Sequence, residues 1–271
     1  MTAASTTITV GGITVTPLLD GTGRECAGDV LQRHGDASVW DEHPEETDEH
    51  GDLRLTLGGF LIRTGDRVVL VDAGVGTIDN GRYQGGMFLE QLRSHGVDAA
   101  DVTDVAFTHL HFDHVGWATQ KGQVVFENAT HHVHAADWDF FVEDVSSDSG
   151  AVRKLSPLQS RLATFDAGTT LAPGLDARPA VGHTPGSTVY VVSDEGERLV
   201  LLGDLAHHPL ELTQEGWSFH FDHSKDQAIA SRREIVEEFA NTPTLLAAGH
   251  FPDLRPGRLA GSRDVLTWHT L

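Results

Sequence analysis

Apolar positions recur every second residue over 6–19, where Ile8, Val10, Ile13 and Val15 flank a Gly11-Gly12 turn. That spacing predicts strands, with Asp20-Gly21 as their end. From Thr22 to Asp52 the periodicity lapses and acids gather at Asp41-Glu42 and Glu45-Glu46. The stretch reads as a long acidic loop, of the kind that forms lids. Trp40 is its single large aromatic, either touching a ligand or pinning the loop down. Residues 57–63 and 67–72 predict a hairpin about Gly65-Asp66, and the run Val68-Val69-Leu70-Val71 ends in Asp72-Ala73-Gly74. Between Gly85 and Gly96, Phe88, Leu89 and Leu92 share a helical face. Val105-Ala106-Phe107 is a short buried strand. Further strands are predicted near Val124–Phe126 and at His131–His134, with helices over Ala135–Val142 and residues 152–165. Thr188–Val192 and Arg198–Leu202 form a hairpin. Residues 205–223 are irregular and aromatic. A helix runs from Ser224 to about Ala240, with Ser224 and Gln227 as a capping box and Ala228, Ile235, Val236 and Phe239 as its stripe. Thr244–Ala247 is a last buried strand. Strands alternating with helices predict a layered α/β fold. No repeat or linker interrupts them, so residues 1–271 read as one domain.

Composition narrows the partners. The chain has 271 residues, with 40 acidic against 19 basic and a net charge of −21. Such a field repels phosphate backbones and argues against a nucleic-acid substrate. Cys26 is the only cysteine, which rules out an intramolecular disulfide or a thiolate cluster. No apolar stretch reaches the length of a membrane span, and Met1-Thr2-Ala3-Ala4-Ser5 does not open a signal peptide. A soluble cytoplasmic protein is expected, with a homodimer as the default assembly.

The chemistry concentrates in His109-Leu110-His111-Phe112-Asp113-His114. On a strand running into a loop, His109 and His111 point to the same face. Asp113 and His114 then lie on the turn and aim at a second point. One segment could therefore start two metal positions. Other strands end in ligand types too: His183 before Thr184-Pro185-Gly186-Ser187, Asp204 after Gly203, and His250 after Gly249. Asp72 is expected to hold the imidazole of a ligand. His131, His132 and His134 lack an aspartate partner and read as structural. Imidazoles and carboxylates without thiolate suit zinc first, with manganese, iron or cobalt as alternatives. Trp40, Phe112, Trp117, Trp217, Phe219 and Phe221 suggest an apolar substrate pocket.

Five pieces, in this order and spacing, carry a resemblance: Val71-Asp72-Ala73-Gly74, the His109–His114 cluster, His183-Thr184-Pro185-Gly186, Gly203-Asp204 and Gly249-His250. Over nearly the whole chain, the sequence resembles the metallo-β-lactamase-fold hydrolase superfamily. The resemblance implies a four-layer αβ/βα sandwich with a site for two divalent metal ions. His109, His111 and His183 would hold one, Asp113, His114 and His250 the other, and Asp204 would bridge them. It also implies that a hydroxide shared by the metals attacks a carbonyl carbon or phosphorus, with Asp113 or Asp204 carrying the proton. The cysteine ligand of zinc β-lactamases has no counterpart here, and His114 is present instead. Both facts point to the lactonase and methyl-parathion-hydrolase-like branch. Acyl-homoserine lactonases often carry a tyrosine three residues after the bridging aspartate. Here that place is His207, a hydrogen-bond or proton donor to substrate or else a packing residue. The expected activity is opening of a lactone or cleavage of another small apolar ester. The alternatives are a phosphotriester or aryl-ester hydrolase of the same site, and a mononuclear iron oxygenase resembling persulfide dioxygenases. Against the oxygenase stands the second set, Asp113, His114 and His250.

Overall fold

A computed structural model describes residues 6–144, 148–262 and 265–271. Two sheets pack face to face. In the first, the strands Leu162–Phe165, Thr130–His134, Asp104–Ala106, Arg67–Val71, Asp52–Thr64 and Ile13–Cys26 lie side by side in that order, and Tyr83–Gly85 and Ile78–Asp79 complete the far edge. In the second, Thr169–Ala172, Leu175–Pro179, Thr188–Asp194, Glu197–Leu201, Leu245–Ala247, Gly257–Ser262 and Val265–Thr270 follow one another. Each sheet is apolar on both faces, which explains the unbroken apolar runs. Val69 and Val71 enter the core between the sheets with Leu199 and Leu201. Leu70 points the other way, to the helix Phe88–Ser94, and Val200 points to the helix Lys225–Phe239. Helix, sheet, sheet and helix form the four-layer αβ/βα sandwich.

Arg67–Val71, Asp104–Ala106 and Thr130–His134 run parallel, as do Glu197–Leu201 and Leu245–Ala247. Their C-terminal ends open on one side of the sandwich, where ligands of layered sheets collect. Asp72, His109, Asp204 and His250 all follow such ends.

Several expectations are corrected. Asp20-Gly21 does not end a strand, because Ile13–Cys26 continues through a register shift between Leu19 and Gly21. Gly21 is required there, since a Cβ would stand 1.8 Å from the Gln84 carbonyl oxygen. The buried face of the continuation is Gly21, Gly23 and Glu25, which carries no apolar signal. The irregular segment therefore begins only after the strand Leu31–Arg33, which pairs with Trp217–Phe219. Within that segment, Trp40 donates its Nε1–H to the Leu31 carbonyl at 2.8 Å and packs 5.2 Å from Trp217, so it anchors the segment. The predicted helix over 152–165 splits into Ser149–Leu155, a 3-10 turn at Ser156–Arg161 and the strand Leu162–Phe165, with Pro157 at the break. The predicted helix over 135–142 is one turn, Ala135–Trp138, followed by a π-turn. The strand near Val124 is only Gln123–Val124. Ser224 does precede the long helix, but its side chain makes no capping hydrogen bond. No described helix is long and apolar enough to cross a membrane.

Candidate metal centre

The parallel strand Asp104–Ala106 delivers the loop with His109 and His111, and Asp72 ends its neighbour. Asp72 sits at φ 61°, a left-handed conformation that aspartate tolerates. There its Oδ1 accepts the Thr108 N–H at 2.8 Å, and its Oδ2 accepts the Thr108 hydroxyl and His114 Nδ1, each at 2.8 Å. Behind this loop Asp20, fully buried, accepts the N–H groups of Gly76, Gly86 and Phe88 and the Trp117 indole. Asp20 thereby ties three loops into one floor.

Two ligand groups converge on that floor: His109, His111, His183 and Asp204 in one, and Asp113, His114 and His250 in the other. Within each, the ligand atoms lie within 4.8 Å of one another. His111 Nδ1 stands 3.0 Å from both His109 Nε2 and His183 Nε2. Asp204 faces both groups. Its Oδ1 is 3.1 Å from His114 Nε2, and its Oδ2 is 3.2 Å from His250 Nε2, 3.4 Å from His183 Nε2 and 3.6 Å from His109 Nε2. Asp113 Oδ2 is 3.5 Å from His250 Nε2 and 3.9 Å from His114 Nε2. Neither His131 nor its neighbours His132 and His134 join either group; His132 pairs instead with Asp104 at 2.9 Å.

The hydrogen bonds around the rings assign their tautomers. His114 Nδ1–H is given to Asp72, His183 Nδ1–H to Asp222 at 3.0 Å, and His250 Nδ1–H to the Thr56 carbonyl at 2.9 Å. Thr108 has spent its only hydroxyl proton on Asp72, so at 3.1 Å it accepts from His109 Nδ1. Four Nε2 lone pairs therefore point inward, at carboxylates that are themselves acceptors. His114 Nε2 and Asp204 Oδ1 are buried and lack a hydrogen-bond partner among the described residues. Acceptors crowded on acceptors repel unless a cation lies among them, and this set of oxygens and nitrogens fits divalent zinc, manganese, iron or cobalt. Burial pushes His109 and His111 well below the ordinary histidine range, which keeps their lone pairs free. Burial opposes charge on both His114 and Asp204. Yet Asp204, Asp72 and Asp113 raise His114 well above the ordinary histidine range, and His114 in turn holds Asp204 well below the carboxylate range, so the pair draws in the positive charge that a cation would supply.

His207 follows Asp204 on the same turn and is 1 % exposed. Its Nε2 is 3.4 Å from Asp204 Oδ2, its Nδ1 is 3.6 Å from Glu211 Oε2, and its ring stacks on Phe219 at 3.7 Å. Neither ring nitrogen makes a hydrogen bond among the described residues. Burial opposes its charge, but Asp204 and Glu211 overcome that and raise it to about 10. Glu211 also accepts the N–H groups of His207 and His208 and pairs with Arg232 at 2.8 Å.

Of the six aromatics expected to line a pocket, Phe112 and Phe221 stand exposed, and Phe219 lies against His207. Trp40, Trp117 and Trp217 are buried packing residues. Asp222 was not singled out from the sequence, and only its place two residues before Ser224, at the start of the long helix, set it apart.

Two packed mixed sheets with a histidine–aspartate centre at their strand ends define a metallo-hydrolase class. Residues 59–250 match the family model described as the Metallo-beta-lactamase superfamily, and the chain belongs to that superfamily. A ribonuclease of Thermus thermophilus is 32 % identical over 176 residues, 56 % of this chain and 36 % of the ribonuclease. The N-acyl homoserine lactonase AttM of Azorhizobium caulinodans is 28 % identical over 190 residues, 61 % of this chain and 64 % of AttM. The chain thus spans less than two thirds of either relative. Among solved structures, the hydrolase AbOPH has a TM-score of 0.87 at 23 % identity, covering 100 % of this chain and 98 % of that one. AidC, a dizinc quorum-quenching lactonase with a bound product, has a TM-score of 0.84 at 24 % identity, covering 98 % and 96 %. These two likenesses establish the fold.

Proposed function

We propose that the protein is a dinuclear metal-dependent hydrolase that opens a lactone or cleaves another small apolar ester. The observation that carries this reading is the Asp204 carboxylate, with one oxygen 3.1 Å from His114 and the other 3.4 Å from His183. That position supports its reading as a bridge between the two groups. His109, His111 and His183 would hold one cation, Asp113, His114 and His250 the other, and Asp204 both. Bound there, two divalent cations supply a water ionised near neutral pH and a Lewis acid for the electrophilic oxygen.

The protein's own residues do the rest. Asp72, Thr108, Asp222 and the Thr56 carbonyl fix four imidazoles with their lone pairs inward. Asp113, the most accessible carboxylate of the set, takes a proton from the attacking water and gives it to the alkoxide oxygen that leaves as the ester bond breaks. His207, whose ring nitrogen lies 3.4 Å from Asp204, donates its N–H to the oxygen of the scissile group. Phe112 and Phe221 offer apolar surface to a substrate chain. The lactonase AttM supports a lactone. The ribonuclease relative raises RNA as a substrate, but a net charge of −21 opposes a polyanion.

The test is proton release from a long-chain N-acyl-homoserine lactone by zinc-loaded protein, beside a chelator-stripped control. Fast opening that vanishes on stripping is expected. No opening by fully loaded protein rejects the lactone, and phosphotriesters and aryl esters become the next substrates.

A further inference from the structure

His111 and His183 come from loops of different sheets, yet their ring nitrogens meet at 3.0 Å. The backbones of those loops pair where the Thr188 N–H reaches the Thr108 carbonyl at 2.9 Å. A second tie is a side chain. Asp137, 1 % exposed, follows the strand Thr130–His134 and ligates nothing in either group. Its Oδ1 accepts the Gly186 N–H at 2.6 Å, and its Oδ2 accepts the Thr184 hydroxyl at 2.9 Å. Those two donors flank Pro185 directly after His183. The Leu110 backbone amide, between His109 and His111, also stabilises the Asp137 carboxylate. Burying a carboxylate away from any cation is costly, and Asp137 forms no ion pair among the described residues. What it holds is the turn that aims His183.

We propose that Asp137 is a positioning residue for the first metal group. Its carboxylate clamps the Thr184-Pro185-Gly186 turn against the His109–His111 loop and so sets the separation of His183 from His111. The proposal rests on the dinuclear reading above. It concerns one group only, because in the other His114 is held by Asp72 and His250 by the Thr56 carbonyl.

The test is zinc binding by the full-length, chelator-stripped protein, titrated against a chromophoric chelator, with cobalt spectra of each equivalent. Asp137→Ala is expected to weaken one of the two equivalents by about 10–100-fold, as loss of an orienting partner does, and to change the cobalt spectrum of that equivalent alone. Asp137→Asn should restore near-native affinity. Its oxygen still accepts from Gly186, and its amide can donate to Thr184, whose hydroxyl then turns to Ser187 Oγ, 2.8 Å away. Should Asp137→Ala not fold, Thr184→Val removes one clamp bond and should weaken the same equivalent by several-fold. Unchanged affinities in these variants, or equal weakening of both equivalents, would overturn the clamp and leave the two-metal reading intact. Native protein that takes up fewer than two zinc ions would overturn that reading and the clamp with it.

Discussion

His131 offers a quantitative test of the packing behind the centre. It lies in the strand Thr130–His134, fully buried, between Val105 and Leu162 of the neighbouring strands. Among the described residues neither ring nitrogen makes a well-formed hydrogen bond. Burial, with smaller contributions from His132 and Arg161, outweighs a weak backbone interaction at Ala129 and lowers its pKa from 6.5 to about 4. The unfolded chain therefore takes up a proton between about pH 6.5 and pH 4 that the folded protein refuses. Stability falls as pH drops through that window, because the unfolded state binds more protons there. At 1.36 kcal/mol per unit, the complete loss is roughly 3 kcal/mol. Most of it should be present by about pH 4.5. His131→Leu, which keeps a similar volume, has nothing to protonate. The assay is urea unfolding of stripped native and variant proteins at about pH 7.5 and 4.5. Carboxylates titrate equally in both, so the difference between the two proteins isolates His131. The variant is expected to gain about 2–3 kcal/mol on the native protein between the two pH values. A constant difference would refute the reasoning, since it would mean that the imidazole is hydrated or finds a partner in the fold.

Two further substitutions address the centre. Asp72→Asn tolerates the same backbone, but its amide cannot accept from both the Thr108 hydroxyl and His114 Nδ1. His114 must then exchange its tautomer and direct an N–H inward. Metal affinity should drop about 10–100-fold, read by chelator competition; unchanged affinity would refute the tautomer argument. His207→Phe keeps the stack on Phe219 and removes the N–H. If His207 donates to substrate, kcat for the lactone should fall about 100-fold with zinc content intact; an unchanged kcat would make it a packing residue.

What was legible in the sequence, and what was not, divides along a physical line. His109, His111, Asp113, His114, His183, Asp204 and His250 stand out because ligand side chains at strand ends interrupt apolar runs. The structure brings these seven together in two adjoining groups. The buried face of Gly21, Gly23 and Glu25 was illegible because two residues without side chains and one acid give no apolar period. The acids that hold the ligands were hidden for another reason. Asp222 acts on a histidine 39 positions away, Asp137 on an N–H 49 away, and Asp20 on an N–H 68 away. Each looks locally like one more turn or surface acid.

That concealment bears on the net charge of −21, which by composition alone reads as solvated surface. Asp20, Glu25, Asp72, Asp104, Asp137 and Glu211 are buried, and each accepts hydrogen bonds or ion pairs from groups distant along the chain. Around the centre these acids are arranged in depth. Inward-facing lone pairs and carboxylates make a site that favours cations, and behind them Asp72, Asp222, Asp137 and Asp20 absorb the N–H and O–H donors. Among the described residues, the His207 ring stands beside Asp204 with both nitrogens outside these donor–acceptor pairs. Its proton lies beside the carboxylate that faces both groups. This asymmetry is why His207, rather than any ligand, is the residue whose replacement should separate turnover from metal binding.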